Sequence, residues 1–351
     1  MIETHGSFVV LIPGFPGGEH DTSCLPMQQQ FVRALKKVLH PIELVVLTFQ
    51  YPFRKSVYQW HETKVISFGG RNRGGLARLF LRKKVWRHLE NIHASQPIRG
   101  LLSFWLGECA WVGKKFGAAK GIRHYCWVMG QDAREGNKYP RRTGTCGDDL
   151  IALSDALASE LSENYGIRVK HVLPPGVGVT VTSGTRDIDL LAAGSLIPLK
   201  RFPLFVELVH EMRKRLPGVR AMLIGEGQER KNIQLLLEKY ALEKNLHLAG
   251  QLPHDAVQKM MTRSKVLIHP SSYEGFPGVC LEALSNGAKV ISFVKPMNDD
   301  IMSWKIVTSM EEMIFETGKL LNDPDCQVSP FVYPSMEEVA KRMVDLFQQS
   351  G

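Results

Sequence analysis

The chain has 351 residues, 44% apolar and 23% charged, with a net charge of +9 and a pI near 9.2. That length predicts two globular domains rather than one core, and the ordinary composition excludes a disordered or collagen-like chain. No apolar run approaches the roughly 20 residues of a spanning helix, and MIETHGS lacks the basic start of a signal peptide, so a cytosolic protein is predicted. The six cysteines (Cys24, Cys109, Cys126, Cys146, Cys280, Cys326) are scattered without a Cys-x-x-Cys; they read as reduced thiols, not as a disulfide framework or a zinc site. The positive balance favours an anionic partner, whether nucleotide phosphate, acidic lipid or nucleic acid.

In chain order, the apolar run FVVLI at 8–12 predicts a buried strand and residues 27–39 a helix. Between them PGFPGG at 13–18 is a turn where glycine lets a ligand come close to the backbone. A second strand is predicted at 44–49. Residues 54–98 are irregular in pattern, apart from a basic amphipathic helix over 76–92. Arg71, Arg73, Arg78, Arg82, Lys83, Lys84 and Arg87 crowd there with Leu76, Leu79, Phe80, Val85 and Trp86. This is a solvated helix face or, in the sharper reading, contact with an anionic membrane surface through residues 71–87. No motif for reading nucleic acid accompanies it. Strands at 101–105, 125–129 and 169–173 and helices at 107–116 and 151–165 complete the first half. The Pro- and Gly-rich stretch 174–187 reads as a linker, with the domain boundary at about Gly178.

The second half alternates strands and helices: strands at 189–194, 219–224, 246–249, 266–269 and 288–293, helices at 203–216, 231–242, 254–262 and 279–285. This predicts a doubly wound parallel sheet. Ser335 and Glu338 form a capping box that opens a final helix. Two acids, Glu274 and Glu282, stand eight positions apart across one strand–loop–helix unit. The backbone amides of Gly278 and Val279 at that helix start suit a phosphate. Carboxylates beside a phosphate would instead accept hydrogen bonds from sugar or ribose hydroxyls.

The segment EGFPGVCLEAL at 274–284 resembles the Glu-x7-Glu signature of retaining GT-B glycosyltransferases of the family 4 type, whose usual form is close to EGF-x-x-V-x-LEA. The resemblance implies an α/β GT-B fold, two Rossmann-like doubly wound domains facing a cleft. These would be an acceptor-side domain at 1–178, joined by the helix at 335–349, and a nucleotide-sugar domain at 179–334. It implies that Glu282 holds ribose hydroxyls, that Glu274 lies against the transferred sugar, and that Lys200 neutralises the leaving diphosphate, with Glu274 and Lys200 as the catalytic pair. Gly17 and Gly18 match a Gly-Gly pair facing the donor, and Gly225 matches a loop near the nucleotide. Arg201 is expected to supply a second charge on the donor.

Two departures stand out. Met129 replaces a usual His in the MGQD segment, leaving Glu108 or Asp132 to take sugar or acceptor contacts; Asp132 is equally a turn cap. Ser195 replaces a usual Arg after Gly194. The expected function is transfer of a sugar from a nucleoside-diphosphate sugar to a glycan or lipid-linked acceptor, in polysaccharide or glycolipid synthesis. No cofactor or metal and no nucleic acid is expected, and the location is cytoplasmic, peripheral on the inner membrane face. Asp187 and Asp189 mimic a metal-binding Asp-x-Asp, but their place at the hinge argues for coincidence. The alternatives are a nucleotide-sugar epimerase of the same shape and a non-catalytic sugar-nucleotide-binding protein.

Overall fold

A computed structural model describes residues 5–22, 24–178, 185–323 and 333–349. The middle of the predicted linker, 179–184, and Cys326 lie outside the described residues. The chain forms two compact units, Met1–Gly176 with Pro334–Gly351, and Val177–Tyr333.

The first unit runs β1 (Ser7–Gly14), α1 (Pro26–Leu39), β2 (Glu43–Tyr51), β3 (Ser56–Trp60), β4 (Thr63–Ser67), α2 (Gly75–Ser95), β5 (Ile98–Phe104), α3 (Glu108–Lys120), β6 (His124–Val128), α4 (Tyr139–Thr143), β7 (Leu150–Ala152), α5 (Asp155–Tyr165) and β8 (His171–Val172). Its sheet has the order β3-β4-β2-β1-β5-β6-β7-β8, parallel except for the β3–β4 hairpin. Val9, Leu11, Val45, Leu47 and Leu101 are buried on the central strands. Strands covered on both faces read as unbroken apolar runs, which is why β1 and β2 are legible in sequence. The C-terminal helix, numbered α11 below, also belongs to this unit: Phe347 packs edge-on against Phe8 and Tyr125, each at 4.9 Å.

The second unit runs β9 (Ile188–Ala193), α6 (Phe202–Arg215), β10 (Ala221–Ile224), α7 (Arg230–Lys239), β11 (Leu246–Gly250), α8 (His254–Thr262), β12 (Ser264–His269), α9 (Gly278–Ser285), β13 (Lys289–Ser292), β14 (Trp304–Ile306) and α10 (Met310–Asn322); α11 (Met336–Gln348) follows. All six strands are parallel, in the order β11-β10-β9-β12-β13-β14. The order reverses at β9 and β12, so the loops leaving these strands diverge and open a crevice at their carboxyl ends.

Four elements depart from the sequence reading. The β3–β4 hairpin was read as irregular, because its turn is made by His61 and Glu62 at φ 43° and 60°, without the Asn-Gly signal such a turn usually carries. The predicted helix at 151–165 ran through β7; Ser154 Oγ accepts from Leu157 N at 3.2 Å and starts α5 only there. Helix α10 has no counterpart in the sequence reading; it is capped by Ser309 and favoured by Glu311 and Glu312 at the positive end of the helix. The short α4 has no counterpart in the sequence reading either. The capping box of α11 is present, with Glu338 N to Ser335 Oγ at 3.2 Å and Ser335 N to Glu338 Oε2 at 2.6 Å.

Candidate active site

A cavity of about 420 Å³ opens at the carboxyl ends of β9 and β12. Gly194, Ser195 and Lys200 enter it from the loop after β9, Gly225 and Glu226 from the loop after β10, and Glu274, Pro277, Gly278 and Val279 from the loop after β12 and the start of α9. Backbones press together to make this floor: a Cβ on Gly225, at φ +142°, would stand 1.9 Å from Gly194 O. Glycine is required there by both its conformation and its neighbour.

Lys200 and Glu274 meet in this wall. Lys200 Nζ donates to Glu274 Oε1, and His269 Nε2, at the last residue of β12, lies 3.1 Å from that same oxygen. A carboxylate can only accept, so the neutral His269 carries its proton on Nε2. Burial pushes the Glu274 carboxyl up, but the His269 hydrogen bond and the Lys200 charge outweigh it and hold it at about 2. Burial lowers the His269 pKa despite the facing carboxylate. His269 was not singled out in the sequence; a His closing an apolar strand looks like core, and only the fold brings it onto Glu274.

Glu282 lies one turn along α9 and does not line the cavity. His254 Nε2 is 3.9 Å from its Oε1, and burial raises its carboxyl against His254 and a Gln258 hydrogen bond. The two glutamates are thus pushed apart, Glu274 down and Glu282 up. Gly278 N–H donates to Phe276 O at 2.9 Å, so it is not open as the sequence reading had it; Val279 N–H has no acceptor among the described residues. Arg201 also differs from its expected place. It is absent from the cavity wall: Nε donates to Pro270 O at 2.8 Å, and the guanidinium lies 4.6 Å from the Phe293 ring. Ser195 lines the cavity where an arginine was expected. The wall therefore carries one ammonium and two carboxylates, Glu274 and Glu226, and is not net positive. Glu226 is itself paired to Arg230.

The remaining predicted positions are in the first unit. Gly17 and Gly18 follow β1; a Cβ on Gly18 would meet open space. Asp132 is buried and accepts from Leu106 N at 2.6 Å, Gly130 N at 2.7 Å and Met129 N at 3.1 Å, which ties the loops after β5 and β6 together. That is the turn-capping role, and it leaves no open carboxylate for a sugar. Glu108 opens α3 and accepts from Gln50 Nε2 and Arg82 Nε, each at 3.0 Å. Asp187 and Asp189 are held by Arg263 and Lys265. Among the described residues no three His, Cys, Asp or Glu side chains cluster as a metal site would need, and no helix is long and apolar enough to cross a membrane.

Two doubly wound, largely parallel sheets, one in each unit, give the GT-B fold. Sucrose-phosphate synthase from Thermosynechococcus elongatus shares this fold, with a TM-score of 0.74 at 17% identity over 98% of this chain and 99% of that one. So does Anabaena HepE in complex with UDP, with a TM-score of 0.67 at 14% identity over 98% of both chains. Residues 181–305 match the family described as glycosyl transferases group 1. The Saccharomyces cerevisiae phosphatidylinositol N-acetylglucosaminyltransferase GPI3 subunit is 22% identical over 222 residues, covering 58% of this chain and 49% of the relative. The chain spans about half the length, or less, of such curated relatives.

Proposed function

We propose that this protein transfers a sugar from a nucleoside-diphosphate sugar to a glycan or lipid-linked hydroxyl, with retention and without a metal. The observation that carries the reading is the Lys200–Glu274 pair, set in the cavity at the β9/β12 switch point beside the start of α9. The departing diphosphate gains negative charge in the transition state. Lys200 and the Val279 amide, with the positive end of α9, are the groups able to stabilise it. Lys200 is held by Glu274 in the unliganded protein, so diphosphate capture draws the ammonium off the carboxylate. Glu274 then keeps His269 as donor and offers Oε2 to a hydroxyl of the sugar. Glu282, with His254 beside it, is placed to accept from ribose hydroxyls.

The acceptor side of the reading rests on α2. The apolar residues of this helix do not all face the core: Leu81, Val85 and Leu89 are buried, while Leu76, Leu79 and Phe80 are 72%, 53% and 60% exposed. Exposed Arg71, Arg73, Lys83, Lys84 and Arg87 surround them, and Lys55 crowds Lys84 closely enough to lower its pKa. An apolar face ringed by cations suits an anionic membrane surface, where each Lys or Arg contributes about 1 kcal/mol. We read the protein as cytoplasmic and peripheral on that surface, in polysaccharide or glycolipid synthesis; the named relative acts on a phosphatidylinositol. The test is incubation with UDP-, GDP- and ADP-sugars in EDTA with detergent-extracted lipid acceptors, followed by NMR of the product's anomeric proton. Transfer with the donor's configuration supports the reading; an inverted product, or altered donor without acceptor, refutes it.

A further inference from the structure

We propose that Arg201 is a positioning residue: it clamps the loop after β12 against the loop after β9 and so sets the Lys200–Glu274 pair. Its bearing on catalysis rests on the function proposed above.

The β9–β12 ladder pairs Leu191 with Leu267 and stops short of the two loops that carry the pair. Beyond it, cross-loop hydrogen bonds converge on two places. Leu199 O accepts from Ser272 N at 3.0 Å and from Ser271 Oγ and Ser272 Oγ at 3.2 Å each. The Arg201 guanidinium donates to Pro270 O at 2.8 Å and Ser271 O at 3.4 Å. Lys200 lies between these two anchor residues in sequence, and Glu274 lies three residues beyond Ser271. A planar fork with several donors can hold two successive carbonyls; a lysine ammonium lacks that geometry. Phe293 covers the guanidinium at 4.6 Å and fixes its plane.

The backbone supplies an independent observation. Arg201 adopts φ 49° and ψ 38°, the left-handed region, between a 3-10 turn and α6. Glycine takes this conformation readily and a long side chain does not. An arginine held there, with its charge turned into carbonyls instead of the cavity, fits a clamp. It does not fit a phosphate ligand, which would face the diphosphate.

The experiment compares wild type with Arg201→Gly and Arg201→Lys. Glycine relieves the left-handed backbone, so the variant is expected to melt within a few degrees of wild type. The Glu274 carboxyl is titrated by 13C NMR in the ligand-free chain, and UDP affinity is measured by calorimetry. Arg201→Gly is expected to bring Glu274 up from about 2 toward its ordinary value of 4.5 and to weaken UDP about tenfold. Arg201→Lys is expected to follow glycine in both readouts. An unmoved Glu274 titration in a folded Arg201→Gly chain overturns the proposal. So does retention of UDP affinity by Arg201→Lys with loss in glycine, the pattern of a direct phosphate charge. If wild type does not bind UDP or any other nucleoside diphosphate, the functional reading fails while the ligand-free titration still decides the clamp.

Discussion

Replacing Glu274 with Gln keeps the size of the side chain and removes its charge. Its folded-state pKa is about 2, against an ordinary value of 4.5. The difference of about 2.5 units, at 1.36 kcal/mol each, corresponds to roughly 3 kcal/mol of stability. Glu274 has a side-chain exposure of only 15%, so solvent screening removes little of it. The sign follows from a depressed carboxylate: the contribution is fully present above pH 4.5 and is lost as pH falls toward 2. Glu274→Gln is therefore expected to be less stable than wild type by about 3 kcal/mol at pH 6, with the deficit shrinking to about 1 kcal/mol by pH 2.5. Hydrogen exchange of peptides spanning β12 and α9 reads the second unit directly, after correction for intrinsic rates. A deficit that stays constant between pH 6 and 2.5 would show that the Lys200–His269 environment does not stabilise the ionised form, and the electrostatic account of the site would fail.

The same substitution frees Lys200 and removes a carboxylate facing the diphosphate, so Glu274→Gln is expected to bind UDP more tightly while transfer falls about 100-fold; weaker UDP binding contradicts the competition between carboxylate and phosphate. Glu282→Ala is expected to weaken donor binding about tenfold with little change in turnover of bound donor, read as a KM increase at constant kcat. Leu76→Asp with Phe80→Asp, both on exposed positions, is expected to abolish sedimentation with phosphatidylserine vesicles without changing UDP affinity. Wild type that ignores such vesicles at low salt refutes the membrane reading.

Much of the second unit was legible because its strands are covered on both faces and its helices show one apolar side. Glu274, Lys200 and Gly278 fell on the cavity because their motif is tied to a strand–loop–helix unit whose geometry leaves little freedom. Arg201 was misread for the opposite reason: its position in the chain is beside Lys200, but its left-handed backbone turns the side chain away, and nothing in the residue order reports that conformation. His269 was hidden by its apolar neighbours. In the first unit, the two readings of Asp132, sugar contact or turn cap, stayed open in the sequence because one of its three amide donors, Leu106, lies far away in the chain. The α2 pattern was read as a basic amphipathic helix, and the residue order did not show that the helix divides its apolar residues between core and solvent. Periodicity shows that such residues share a helix, not which of them the neighbouring elements cover.

The central claim is that Lys200 captures the diphosphate unaided by a divalent ion. Calorimetric titration of UDP, GDP and ADP into wild type and Lys200→Met, in EDTA, tests it most directly. The account predicts that at least one diphosphate binds wild type undiminished by EDTA and that Lys200→Met binds it 10- to 100-fold more weakly, the scale of about 1.5 to 3 kcal/mol for a charged hydrogen bond. Equal affinity in the two proteins, or binding that returns only when magnesium or manganese is added, would contradict it.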